Sequence, residues 1–129
     1  MATHRNYFGH ARPEMMAFIP KRRRTVLDIG CGEGWFTKSI AGAEELWGVE
    51  PDPHSAGIAQ AHMHAVLLGT YDEMEPRLPD GYFDVVVYND VIEHMPDHER
   101  FFHQIRRKIA PGGVIVGSVP NVRYTPFTR

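Results

Sequence analysis

With Cys31 as its single cysteine in 129 residues, the chain can form no intramolecular disulfide, so a packed core must hold the fold. No apolar stretch approaches the ~18 residues that a membrane-crossing helix needs. The opening, Met1-Ala2-Thr3-His4-Arg5-Asn6, lacks the apolar centre of a secretory signal, and a cytoplasmic protein is expected. Neither charge dominates: 14 Lys and Arg face 16 Asp and Glu, a formal net charge of -2, which gives no general attraction to nucleic acid or to an anionic membrane. The basic run Lys21-Arg22-Arg23-Arg24 sits just before a strand and reads as a solvated loop. Eight histidines show no set with acids or cysteines at metal-ligand spacing, so no metal site is expected. Repeats, linkers and low-complexity stretches are missing, which leaves one domain over residues 1–129.

Short apolar, β-branched runs bounded by glycine, proline or acid predict strands over about 25–29, 45–49, 65–68, 83–88 and 113–119. Such runs suit strands buried on both faces. Helical segments alternate with them. One spans 13–19, between Pro13 and Pro20. A second runs from near Gly34 to about Gly42, and a third opens with Asp52 as N-cap and Pro53 at the first helical position. The fourth is capped by Asp97 and carries Glu99 in its first turn and Arg106, Arg107 and Lys108 near its end, where each charge suits the helix dipole. Phe101, Phe102, Ile105 and Ile109 make its apolar face, and Pro111-Gly112-Gly113 ends it. This alternation implies right-handed crossovers, hence an α/β fold with helices on both faces of a parallel sheet.

The most informative stretch is Val26-Leu27-Asp28-Ile29-Gly30-Cys31-Gly32-Glu33-Gly34-Trp35-Phe36, followed by Glu50 at the end of the second apolar run. Strand, glycine turn, helix, strand and acid together place backbone N–H groups and a carboxylate around a nucleoside. Glycines let the main chain come close to a ligand, and a carboxylate accepts both hydrogen bonds of a ribose diol. A dinucleotide fingerprint needs glycine at its first, third and sixth positions, but the sixth here is Trp35, so a nicotinamide oxidoreductase is disfavoured. A Gly-Lys-Ser/Thr ending is missing, which disfavours a P-loop. Cys31 reads as a small residue beside the ligand, with a nucleophilic thiol as the alternative.

The first motif Val26 to Phe36, the acid Glu50 in Gly48-Val49-Glu50-Pro51-Asp52, the stretch Phe83-Asp84-Val85-Val86-Val87-Tyr88-Asn89-Asp90-Val91-Ile92-Glu93-His94-Met95 and the closing Ala110-Pro111-Gly112-Gly113-Val114-Ile115-Val116 occur in that order. On these motifs, which cover residues 25 to 120, the chain resembles the class I S-adenosylmethionine-dependent methyltransferases. The Asp-Val-Ile-Glu-His stretch looks most like the branch that methylates small molecules. The resemblance implies a doubly wound Rossmann-like sheet in the order 3-2-1-4-5. It implies S-adenosyl-L-methionine as cofactor, S-adenosyl-L-homocysteine as product, and a small-molecule methyl acceptor.

Carried over by position, the resemblance sets Gly30 and Gly32 against the methionine part of the cofactor, and Asp28 at its amino group. Cys31 and Gly34 complete the turn, and Glu50 with Pro51 faces the ribose. Thr70 stands where the family often has an adenine-binding aspartate, so the Thr70 hydroxyl, the Tyr71 N–H or Asp72 would substitute. Asn89 would offer its backbone carbonyl to the cofactor amino group. His94, just beyond, is either a general base for an acceptor hydroxyl or a wall of the pocket. Tyr7 and Phe8 lie on an arm that closes over the cofactor in the resembling branch, or else anchor it to the core. Ile58 and Met63 read as core.

The family's sheet has two further strands, and the expectation is that this chain lacks strands 6 and 7. The strand over 113–119 would then be an uncovered apolar edge, closed either by homo-oligomer contacts or by residues 120–129. Two functions remain: methyl transfer to a small molecule, and a cofactor-binding module without independent activity.

Overall fold

Among the described residues the first five strands run in one direction, because a crossover between each and the next returns the chain to the same end of the sheet. The computed structural model describes residues 23–40, 42–89, 98–118 and 125–128. In chain order they form β1 (Thr25–Ile29), α1 (Trp35–Lys38), β2 (Glu45–Glu50), α2 (Pro53–Ala59), β3 (Ala65–Leu68) and α3 (Tyr71–Met74). A 3-10 turn (Glu75–Arg77), β4 (Phe83–Asn89), α4 (His98–Lys108), β5 (Ile109–Ser118) and β6 (Thr125–Thr128) follow. The sheet order is β3-β2-β1-β4-β5-β6. The five strands β1 to β5 are parallel in the order 3-2-1-4-5.

Alternation along the central strands builds two cores. Leu27 and Ile29 share one face with Val49, Val86, Tyr88 and Ile115, and this face packs on Tyr71, Leu78, Phe101 and Ile105. Val26 shares the other with Val85, Val87, Val114 and Val116, against Phe36 and Ile40. Each fully buried Val, Leu, Ile or Phe contributes about 1.5–3 kcal/mol of transfer free energy. At the amino ends of the strands, the Asp84 carboxylate accepts from the Arg24 N–H at 2.9 Å, and the Asp84 N–H donates to Thr25 Oγ1 at 3.0 Å. These bonds fix the register of β1 against β4.

Two expectations are corrected. The helix α1 is only four residues long, and its continuation tightens into 3-10-type bonds, Ser39 N to Phe36 O at 3.1 Å and Ile40 N to Thr37 O at 3.0 Å. Ile109 belongs to β5, not to the apolar face of α4. The Arg107 and Lys108 carbonyls are taken by the N–H groups of Gly81 (2.7 Å) and Tyr82 (2.9 Å), which stops the helix at Lys108. Pro111-Gly112-Gly113 therefore forms an irregularity inside β5 rather than a helix stop: Phe83 pairs with Ile109, and Val85 already pairs with Val114. A Cβ at Gly113 would lie 2.8 Å from the Phe83 carbonyl and 2.9 Å from that of Asp84, so only glycine fits.

At the sheet edge the chain takes one of the two forms expected: Thr125–Thr128, within the stretch 120–129, pairs antiparallel with Val114–Gly117 and covers the edge of β5. Pro126 lies in this strand, a residue type tolerated at sheet edges because it cannot donate to a ladder. The helix expected over 13–19 and the Asp97 cap lie outside the described residues.

Lys108 holds the underside of α4. Its ammonium is 3% exposed and reaches Glu75 Oε2 at 2.7 Å, Asp80 Oδ1 at 2.8 Å and the Leu78 carbonyl at 3.0 Å. The hydrogen bond and charge of Lys108 hold the Asp80 carboxyl below its ordinary value. A carboxyl depressed in the folded state stabilises it above the unfolded value near 3.8, and that stabilisation is lost as pH falls through the folded value. Lys108→Met should lower unfolding free energy by about 1–3 kcal/mol at pH 7. Urea unfolding checks this, and the gap to the parent chain should narrow below about pH 4.

Candidate functional site

The carboxyl ends of β1, β2, β3 and β4 converge on one edge of the sheet, where loops rather than strands meet the solvent, and where open α/β sheets bind ligands. After Ile29 the chain turns through Gly30 (φ 75°) and Gly32 (φ 58°), left-handed conformations that glycine adopts without strain. The turn is pinned to the end of β2. Gly30 N and Cys31 N both donate to the Val49 carbonyl, at 2.8 and 3.2 Å.

Glu50 completes the attachment. Its Oε1 accepts from Gly32 N at 2.8 Å, its Oε2 accepts from Asp52 N at 3.0 Å, and its backbone carbonyl accepts from Gly69 N at 3.0 Å. One half-buried residue thus ties the turn after β1, the start of α2 and the end of β3. A carboxylate has about four acceptor positions, so two remain for a diol. At Gly32 a Cβ would meet nothing within 4 Å, which leaves room for a ligand against the main chain.

Asp28 is fully buried beneath the turn. Its Oδ2 accepts from Thr37 Oγ1 at 3.2 Å, and the same hydroxyl lies 3.3 Å from the Gly34 carbonyl. The acid therefore braces the glycine turn against α1. Thr37 was missed in the sequence, although a hydroxyl three residues after the last glycine is a recognisable back-bonding signal. Cys31 is 2% exposed and packs with Ala59 and Met63. Burial, then the charges of Asp28 and Glu50, push its thiol above the ordinary value, which removes the basis for a thiolate nucleophile. Gly34 is also turned inward: a Cβ there would lie 2.7 Å from Met63 Sδ and 2.9 Å from His62 Nε2.

Thr70 ends the third strand region as the N-cap of α3. Its N–H donates to Glu73 Oε1 at 2.8 Å, and its hydroxyl accepts from Glu73 N at 3.3 Å. This is a capping box, written in the sequence as Thr70-Tyr71-Asp72-Glu73. The Tyr71 ring is buried against Phe101, centroids 5.3 Å apart, and burial raises its phenol above the ordinary value. The Tyr71 backbone opens α3, directly after the Thr70 N-cap. Pro51 is exposed between Glu50 and Asp52, and the Asn89 backbone lies at the end of β4 beside Ser118. The Asn89 side chain, Glu93, His94, Tyr7 and Phe8 lie outside the described residues. Among the described residues no group of three or more His, Cys, Asp or Glu could hold a metal ion, and no helix is long and apolar enough to cross a membrane.

A family model described as a methyltransferase domain matches residues 1–126. A protein of Mycolicibacterium smegmatis, described as a probable S-adenosylmethionine-dependent methyltransferase, is 36% identical over 105 residues, covering 80% of this chain and 41% of that protein. The ubiquinone biosynthesis O-methyltransferase of Azorhizobium caulinodans is 30% identical over 129 residues, covering 94% and 49%. The chain therefore spans less than half the length of these curated relatives. Among solved structures, a Haloferax volcanii methyltransferase in complex with the Trm112 methyltransferase activator superposes with a TM-score of 0.76 at 21% identity, covering 92% of this chain and 55% of that one. That likeness concerns the fold.

The glycines make different demands. Gly32→Ala should cost about 1–2 kcal/mol, the strain of a left-handed alanine. Gly34→Ala should cost about 1–3 kcal/mol more, because Met63 and His62 must also move. Urea titrations of the two variants decide, and equal losses would mean that those side chains yield freely.

Proposed function

Because the chain belongs to the methyltransferase domain family, we propose that it binds S-adenosylmethionine at the carboxyl ends of β1, β2 and β4 and serves methyl transfer to a small-molecule hydroxyl. The observation that carries this reading is the Glu50 carboxylate, held beside the open Gly32 turn with acceptor positions to spare. The residues fit the cofactor. Glu50 would take the ribose hydroxyls, and the Gly30–Gly32 main chain would lie against the methionine part with Asp28 beneath it. Cys31 and Gly34 would contribute backbone only. Pro51 would border the ribose, Thr70 and Tyr71 the adenine, and the Asn89 carbonyl would receive the cofactor amino group.

When bound, the cofactor supplies an activated methyl group on a sulfonium sulfur. The chain itself has to align, and positioning is worth up to ~7–11 kcal/mol in such displacements. His94 is the proposed base for the acceptor proton. The relative named for ubiquinone biosynthesis is an O-methyltransferase, which supports a hydroxyl as the acceptor group. A second reading, a cofactor-binding module without independent turnover, is favoured by the share of its relatives that the chain spans.

Calorimetric titration with S-adenosylmethionine, S-adenosylhomocysteine and NAD tests the site. The first two should bind and NAD should not. Glu50→Ala removes two charge-assisted bonds of ~1.5–3 kcal/mol each, so product affinity should fall about 100-fold or more. Unchanged affinity in a folded variant removes Glu50 from the site. On a hydroxyl acceptor, His94→Ala should lower turnover by about 10²–10⁴ while product affinity holds. A chain that binds the cofactor but turns over no acceptor leaves the second reading standing.

A further inference from the structure

Tyr88 stands on the face of β4 that packs against α4, and its register partner on β5 is Gly117. A Cβ built at Gly117 would overlap the far end of the Tyr88 ring, at Cζ, Cε2 and Oη. Gly117 is not among the glycines with a left-handed backbone, so glycine is needed here for closeness and not for conformation. The Tyr88 ring is 6% exposed. It stands edge-on to Phe101 (5.9 Å, 80°) and Phe102 (5.5 Å, 71°), which are themselves 5.2 Å apart. Flanked in this way, the ring cannot swing aside from a side chain at position 117 without moving α4 or the end of β4.

Tyr88 immediately precedes Asn89, the last residue of β4, and Phe101 and Phe102 lie in the first turns of α4. Burial lifts the Tyr88 phenol above its ordinary value. We infer that Tyr88 and Gly117 form a positioning pair: the bare glycine lets the ring brace β4 against α4, which sets where the Asn89 carbonyl stands at the end of β4. This rests on the proposed cofactor site.

The test is a cycle of Gly117→Ala, Tyr88→Phe, Tyr88→Leu and the Tyr88→Leu/Gly117→Ala double variant, with S-adenosylhomocysteine affinity read by calorimetry and folding by near-ultraviolet dichroism. Tyr88→Phe should bind within twofold of the parent chain. Gly117→Ala should bind at least tenfold more weakly while folded, and the double variant should match Tyr88→Leu, because the three atoms nearest a Cβ at position 117 all belong to the Tyr88 side chain. Parent-like affinity of a folded Gly117→Ala overturns the proposal, as does an equal loss from alanine in both backgrounds. If Gly117→Ala does not fold, a folded double variant supports the pair and an unfolded one overturns it. A parent chain that binds no product overturns the cofactor site instead. The brace is then read from amide exchange at Asn89, which Gly117→Ala should accelerate only where Tyr88 is present.

Discussion

The turn after β1 carries donors that nothing in β1 can satisfy, and the end of β2 takes them. Val49 offers one carbonyl to two successive N–H groups, and Glu50 offers its side chain to Gly32 and Asp52 and its carbonyl to Gly69. Without these acceptors the loop would present unpaired donors above a buried strand, at a cost of about 1–3 kcal/mol for each group shut off from water. The ends of three strands therefore depend on two adjacent residues. Glu50 is structural before any ligand arrives, so the site is assembled by the same bonds that close the fold.

Around that junction the glycines divide the labour. Gly32 faces open space, whereas Gly34 presses on Met63 and His62, and Gly48 leaves room for the Cys31 thiol, whose Sγ would lie 2.6 Å from a Cβ there. Trp35 stacks on His62 at 4.3 Å and donates to Glu33, so the outer side of the turn is walled by an aromatic pair. One glycine thus leaves the main chain open on its outer side, and the other two serve close approach by the protein itself. Their identical look in sequence hides this difference, because it depends on which way each missing Cβ would point.

The strands were legible because each is a short apolar run with no competing helical period, and the parallel order of β1 to β5 follows from the crossovers. Glu50 was legible for a related reason: the carboxyl end of a parallel strand is a defined place. What escaped was settled by partners distant in sequence. Ile109 continues an apolar helical face by spacing, but the carbonyls of Arg107 and Lys108 are claimed by Gly81 and Tyr82 nearly thirty residues away. Lys108 reads in the sequence as a last-turn cation that suits the helix dipole, yet it is buried, with Glu75, Asp80 and the Leu78 carbonyl around its ammonium. Thr70 is different: its capping box is local and is written in Thr70-Tyr71-Asp72-Glu73.

The two sides of the site are held by different physics. The side made by β1, β2 and β3 is fixed by short bonds, several of them to a carboxylate, and such bonds weaken steeply with distance and angle. The side at the end of β4 rests on ring packing among Tyr88, Phe101 and Phe102, many weak contacts that hold by close fit rather than by directed bonds. A rigid half suits a group that must be gripped in one orientation. A packed, apolar half suits a neighbour of variable shape, provided nothing intrudes on the packing. Gly117 is the point at which that proviso becomes a single atom, since one added carbon on β5 would displace the ring that ties β4 to α4.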